Sequence, residues 1–278
     1  MVNNPMKKAR ERIRHWTSGM LDLTNLGLTE LPELPEGIQR VYCYGNKLLS
    51  LPATLPSTLV TLDCGSNQLT TLPNTLPAGL TTLGCSHNQL TTLPETLPVG
   101  LTVLRCDNNQ LTRLPDTLPA DLIYLHCSHN LLTRLPDTLP AGIQEFNCSY
   151  NRVTRLPNTL PAHLRELCCE ENRLLSLPET LPMGLTELYC YGNQLTRLPE
   201  TLPADLEILS CEGNHFLPPH KYGESIAEYI ARAVVAETES RERIIQRCAL
   251  VFEELAKKVW HPSRVERLML AGVDMEDM

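Results

Sequence analysis

The chain encodes a stack of short, near-identical units with one strand each. The architecture is an α/β repeat solenoid curved into a horseshoe, with a parallel β-sheet on the concave side, a thin polyproline-II-like convex side and helical caps at both ends. Three observations predict it. The phrase Leu-x-x-Leu-x-Cys-x-x-Asn-x-Leu-(Thr/Leu)-x-Leu-Pro-x-Thr-Leu-Pro recurs nine times at an unbroken 21-residue interval, marked by Asn46, Asn67, Asn88, Asn109, Asn130, Asn151, Asn172, Asn193 and Asn214. A unit this short cannot bury its own leucines and must bury them against its neighbours. After each strand, two closely spaced prolines fix φ and remove amide donors, which favours an extended return leg over a helix.

Met6, Ala9, Ile13 and Trp16 recur at three- and four-residue spacing and predict an amphipathic helix over 5–17. Its apolar stripe covers the open end of the first repeat, so residues 1–20 form an N-terminal cap. Lys7, Lys8, Arg10, Arg12 and Arg14 occupy its other, solvated face. A degenerate unit follows from Leu21 to Leu31, with Leu23 and Leu26 at the Cys and Asn positions and one residue missing near Pro32–Pro35. Together with the nine regular units it makes the array, residues 21–217. Within a unit such as Leu80–Leu93, a short strand alternates core and solvent around Leu83 and Cys85, and Asn88 turns inward. Each such asparagine is expected to bond the backbone of its own and the next repeat, satisfying loop amides that no sheet serves.

Past Asn214, Pro218-Pro219 ends the pattern and residues 218–278 read as a C-terminal helical capping domain. Ser225 and Glu228 form a capping box before Ile226, Ile230 and Val234. A second helix over 239–260 aligns Ile244, Cys248, Val251, Phe252, Leu255 and Val259, and a third runs from Pro262 to Ala271 and stops at Gly272.

The repeated phrase resembles the leucine-rich repeat, over about three quarters of the chain. Its short period and doubled Leu-Pro resemble the bacterial effector class found in YopM-type and IpaH-type proteins delivered into host cells. Those families usually carry an aliphatic residue where this chain has cysteine. The resemblance implies recognition of a host protein; it does not name the partner. IpaH-type effectors add a ubiquitin-ligase domain with a Cys-x-Asp nucleophile, but here the tail is too short for that domain and no Cys-x-Asp occurs. The segment from Trp260 to Asp274 resembles C-terminal tails in proteins of large amoeba-infecting DNA viruses, which leaves viral origin as an alternative.

A formal charge of -8 argues against general nucleic-acid binding, which needs a basic face to displace counterions. No 18-residue apolar run and no signal-peptide pattern occur, so no stable membrane insertion is expected. Nine of the eleven cysteines, Cys43, Cys64, Cys85, Cys106, Cys127, Cys148, Cys169, Cys190 and Cys211, fall on one inward column. In-register neighbours sit ~4.8 Å apart with parallel Cβ vectors, whereas a disulfide wants Cβ atoms about 3.8 Å apart. These read as free thiols in a reducing, cytoplasmic compartment. A straight column offers one ligand per level, so no metal site is expected. Cys168 alternates with Cys169 and is expected to be the one accessible array thiol.

Function should lie where residues vary without damaging the stack. Six of the eight tyrosines fall there, Tyr42, Tyr44, Tyr124, Tyr150, Tyr189 and Tyr191, a residue type that concentrates at binding hot spots. Glu145, Glu166 and Glu187 share one strand position in successive repeats, with Glu170, Glu171 and Glu212 nearby and Arg165 offsetting part of the charge. Stacked repulsion of roughly 1 kcal/mol per pair suggests a basic partner, an oxygen-liganded cation or plain solvation. His126 sits near Tyr124, while His87 and His129 lie two repeats apart, too far to share an ion. Arg113, Arg134, Arg155 and Arg197 form a further column, with Asp116, Asp137 and Glu200 three residues later, a surface ion ladder worth little per pair. No nucleophile, base and orienter converge and no Gly-rich phosphate loop occurs.

The sequence therefore predicts a protein-interaction module without catalysis or cofactor. It binds a protein partner of basic character through its concave face, at Tyr42, Tyr44, Tyr124, His126, Glu145, Tyr150, Glu166, Glu170, Glu187, Tyr189 and Tyr191, in the cytoplasm of the source cell or of a host. A ubiquitin-ligase-type effector and a purely structural scaffold of viral origin remain as alternatives.

Overall fold

A computed structural model describes residues 4–215 together with Glu228 and Arg232. The chain divides into two units, Met1–Pro219 and His220–Met278. Apart from Glu228 and Arg232 the second lies outside the described residues, as do the expected C-terminal helices, Cys248 and the tail from Trp260 to Asp274.

Helix α1 spans Pro5–His15. Asn4 caps it by accepting from Lys7 N at 3.1 Å, and proline at the first position loses no hydrogen bond there. It ends two residues earlier than the apolar spacing suggests, because Trp16 takes extended backbone at φ -70°, ψ 127°. Ala9 is fully buried, with Met6 and Ile13 half-buried. Arg12 is not simply solvated: its guanidinium donates to Asp22 O at 2.7 Å and clips the helix to the first strand.

Ten three-residue strands follow: β1 Met20–Asp22, β2 Arg40–Tyr42, β3 Thr61–Asp63, β4 Thr82–Gly84, β5 Val103–Arg105, β6 Tyr124–His126, β7 Glu145–Asn147, β8 Glu166–Cys168, β9 Glu187–Tyr189 and β10 Ile208–Ser210. They form one parallel sheet in sequence order. From β2 onward, pairing matches equivalent residues of successive repeats, as in Leu62 with Leu83 and Leu83 with Leu104. Each central residue is buried up to β9, and Phe146 takes that place in β7 at 1% exposure. Outside the sheet the described array has neither helix nor strand. Its second proline begins a turn: Leu80 N donates to Pro77 O at 3.0 Å and Leu122 N to Pro119 O at 3.1 Å. A turn of this kind brings each repeat back to its next strand in few residues, which is why the convex side is thin.

Behind the sheet runs the asparagine ladder. Asn130 Nδ2 lies 3.0 Å from Cys106 O, 3.1 Å from Cys127 O and 3.0 Å from Ser128 O, while its Oδ1 accepts from Leu111 N at 2.9 Å. Cys106 and Leu111 belong to the preceding repeat. The side chain thus reaches back one unit rather than forward to the next, contrary to the direction expected. The Oδ1 bond recurs from Asn67, which accepts from Leu48 N, to Asn214, which accepts from Leu195 N. Asn46 does the same for the degenerate unit, accepting from Leu26 N and Leu28 N.

The thiol column lies beside it. The ten described cysteines are buried thiols outside any disulfide. Cys64, Cys106 and Cys127 each direct Sγ at a carbonyl of the following repeat, Gly84, His126 and Asn147, at 3.3 Å. Cys168 corrects an expectation. It does fall on the outer side of the sheet, in register with Asn147 and Tyr189, yet it is only 6% exposed and its thiol lies 3.2 Å from Glu166 Oε1. Alternation sets its direction, and the Glu166 side chain of its own strand folds against its thiol. Burial raises its pKa, helped by the hydrogen bond to Glu166 and the charge of Glu170, so the reactive thiolate is scarce.

Asn130→Ala removes the acceptor of a buried amide and the donor to three carbonyls, and should destabilise the array by about 3 kcal/mol. Gln110→Ala, whose backbone bond to Leu90 O survives, should shift the urea midpoint far less; equal midpoints would remove the ladder from its structural role. For the thiols, a Cys248→Ser variant isolates the ten described cysteines. A thiol reagent at pH 8 should leave them unlabelled in the native state and label all of them in denaturant, and rapid native labelling at Cys168 would contradict its burial.

Candidate functional site

The 21-residue period converts sequence positions into columns across the outer sheet. Immediately before the buried strand centre, Tyr124, Glu145, Glu166 and Glu187 stand in register on β6 to β9. Immediately after it come His126, Asn147, Cys168 and Tyr189. The three glutamates are therefore direct lateral neighbours, ~5 Å apart along the sheet.

Each glutamate is held by a nearby group. His126 Nε2 lies 3.6 Å from Glu145 Oε2, an ion pair only when the imidazole is protonated. Cys168 approaches Glu166, and Tyr189 OH donates to Glu187 Oε2 at 2.8 Å. That last bond, with smaller effects of burial and the Glu187 charge, raises the Tyr189 pKa to about 12, so the phenol stays a neutral donor. No lysine or arginine pairs with Glu166 or Glu187 among the described residues, and Arg165 makes no ion pair with them.

Beyond the strand ends a second group assembles on the loop rim. Tyr150 OH and Tyr191 OH lie 2.9 Å apart although they sit two repeats from one another, so they span the repeat carrying Glu170 and Glu171. The bond to Tyr150, burial and the charges of Glu170 and Glu171 raise the Tyr191 pKa. His129 stacks on Tyr150 with ring centroids 4.2 Å apart and an interplanar angle of 7°. Gly192, at φ 63°, makes room for Glu171, since a Cβ there would lie 2.7 Å from Glu171 Oε1.

Tyr124, His126, Glu145, Glu166, Glu187 and Tyr189 thus share one continuous patch, bordered by Tyr150, Glu170 and Tyr191. Tyr42 and Tyr44 do not join it. They sit on β2 and its following loop, four repeats or ~19 Å along the sheet from Tyr124.

Sequence reasoning missed two features. Residues just before the ladder asparagines take positive φ, including His87 at 55°, Asn108 at 53°, His129 at 50°, Tyr150 at 52° and Glu171 at 50°. The signal was present, because glycine or asparagine fills the same position at Asn25, Gly45, Asn108, Gly192 and Gly213. The arginine column also pairs otherwise than expected. Arg134 binds Asp116 at 3.1 Å, Arg155 lies 3.5 Å from Asp137, Arg197 binds Glu179 at 2.7 Å, and Arg113 binds Glu95. Each acid comes from the preceding repeat, 18 residues earlier, so Asp116 and Asp137 serve the next arginine and Glu200 serves none in the described array. A depression of about 140 Å³ between Thr133–Asp137 and Thr154–Asn158 opens beside one of these pairs, well below the ~300 Å³ of small ligand pockets.

No group of three His, Cys, Asp or Glu side chains that could hold a metal ion occurs among the described residues. No described helix is long and apolar enough to cross a membrane.

No protein-family model matches the chain, and neither does any curated protein sequence. Solved structures do. YopM from Yersinia enterocolitica WA-314 is 32% identical over 76% of this chain, with a TM-score of 0.50, and this chain spans 60% of that protein. A Shigella effector leucine-rich-repeat domain is 36% identical over 57% of this chain and 73% of its own, with a TM-score of 0.52. The functional domain of InlJ from Listeria monocytogenes, described as including a cysteine ladder, is 34% identical over 57% of this chain and 35% of its own, with a TM-score of 0.55. The periodic strands, the inward asparagines and these likenesses agree: the chain belongs to the leucine-rich-repeat family, with repeats of the bacterial-effector type.

Proposed function

We propose that this protein is a non-catalytic interaction module that binds a basic segment of a partner protein through the outer, solvent-facing side of the sheet at β6 to β9. In this reading residues 1–20 cap the array of residues 21–217, and residues 218–278 are a separate C-terminal domain. One observation carries it. Glu166 and Glu187 stand in register without a lysine or arginine partner among the described residues, while the column of Arg113, Arg134, Arg155 and Arg197 is matched one by one to acids. A chain that neutralises one charge column and leaves another exposed to self-repulsion retains the second for something outside itself. Tyr124, Tyr189 and Tyr191 add aromatic area beside the charge, and Tyr42 and Tyr44 offer a smaller, separate contact.

The effector-type repeats make a host protein the natural partner, and the reduced thiol column suits a cytoplasmic setting, in the source cell or in a host. A ubiquitin-ligase role would need a reachable thiolate. Cys168, buried and hydrogen-bonded to Glu166, is a poor nucleophile.

Capture from host-cell lysate by the full chain, followed by affinity measurement with the captured protein, tests the face. Tyr189→Ala with Tyr191→Ala should weaken binding by more than about 2 kcal/mol. Glu145→Gln, Glu166→Gln and Glu187→Gln together should slow association and flatten its salt dependence, with the melting temperature kept or raised as repulsion is relieved. Unchanged affinity in both variants, with melting intact, would take the site off this face.

A further inference from the structure

The position two residues before each ladder asparagine behaves in two ways. At Asp107 the column satisfies itself. Ser86 Oγ donates to Asp107 Oδ2 at 3.1 Å, and Ser128 donates its hydroxyl at 2.9 Å and its backbone N–H at 3.0 Å to Oδ1. At Ser149 and Glu170 the same serine-acid adjacency recurs with one more methylene in the acid, and the pairing is gone. Ser149 is 1% exposed and its Oγ has no protein partner among the described residues; Glu170 Oε2 is sealed from solvent and has none either. A sealed carboxylate oxygen without a donor is strongly unfavourable and rarely kept without cause.

The surroundings indicate what donor is suited to it. Tyr150 and Tyr191 span this repeat through their hydroxyls, and Glu171 adds a second carboxylate beside Gly192. We propose that Ser149, Glu170, Tyr150 and Tyr191 form a subsite for one primary ammonium group, the Nζ of a lysine on the partner protein. This rests on the reading of the outer face as a surface for a basic partner, and locates its anchor. An ammonium brings three N–H donors and one positive charge, against acceptors at Glu170 Oε2, Ser149 Oγ and the tyrosine oxygens. The tyrosine rings add attraction for a cation. Tyr150 is 41% exposed, so the hydroxyl bridge opens by side-chain rotation while the asparagine ladder stays in place.

Asp107 supplies the discriminating variant. Glu170→Asp keeps the charge but shortens the side chain to the length that pairs with serine in this column. Titration of the full chain with tetralysine amide, followed by calorimetry, should show saturable binding that the tetra-Nε-acetyl-lysine amide lacks. Glu170→Asp should weaken it about tenfold or more while raising the melting temperature, and Ser149→Ala should weaken it about threefold. Glu166→Gln with Glu187→Gln should cost only about twofold, an effect lost at high salt. Wild-type affinity in Glu170→Asp overturns the subsite, as does a failure of the native protein to bind tetralysine amide. An equal loss in the Glu166→Gln, Glu187→Gln variant also overturns it, by assigning binding to diffuse charge. That outcome leaves the outer-face reading standing, whereas the partner-affinity experiment with the tyrosine variants judges that reading independently.

Discussion

Everything in the array depends on one side chain per repeat bonding two repeats at once. Asn130 connects its own strand end to Cys106 and Leu111 of the unit before it, and every regular unit repeats the arrangement. The bonds are buried, so a slip of one residue would leave amides and carbonyls unpaired in the core at about 1–3 kcal/mol each. Three-residue strands alone could not hold register, since a strand that short has few cross-strand contacts to oppose sliding. The ladder fixes the register, and the register makes columns.

Columns multiply small local choices. A glutamate before one strand centre is commonplace; the same choice at 145, 166 and 187 produces like charges stacked ~5 Å apart. An acid at 95, 116, 137 and 179 meets an arginine 18 residues later, and where the acid is replaced by Asn158 the following position is Ser176 instead. The two columns obey the same geometry with opposite outcomes. One is balanced within the chain. The other has no lysine or arginine counterpart among the described residues.

The periodic features are legible in the amino-acid sequence alone. Asparagine spacing dictates the solenoid, and alternation around Cys85 and Leu83 dictates the inward faces, because both follow from repetition. What escapes such a reading depends on geometry between repeats. Nearness in sequence matches Glu200 to Arg197, whereas stacking places each arginine beside the acid of the preceding unit. Alternation turns Cys168 outward, but its burial depends on side chains that fold against it, such as Glu166. Ser149 carries no signal at all, since a serine on a repeat rim is ordinary and only its contrast with Ser128 beside Asp107 makes it informative.

The rim carries a last constraint. A non-glycine residue at positive φ costs on the order of 1–2 kcal/mol, and glycine would relieve it. Gly45, Gly192 and Gly213 show that the fold accepts glycine at that position. Between them Ser66, His87, Asn108, His129, Tyr150 and Glu171 keep side chains there, so strain is concentrated in the middle of the array. The stacking of His129 on Tyr150 and the hydroxyl contact of Tyr150 with Tyr191 return part of it. Strain that persists where a less strained residue is accepted marks a side chain held for what it presents. Here it is held at the strand ends, beside Glu170, whose Oε2 is sealed from solvent, on the rim where the proposed ammonium subsite lies.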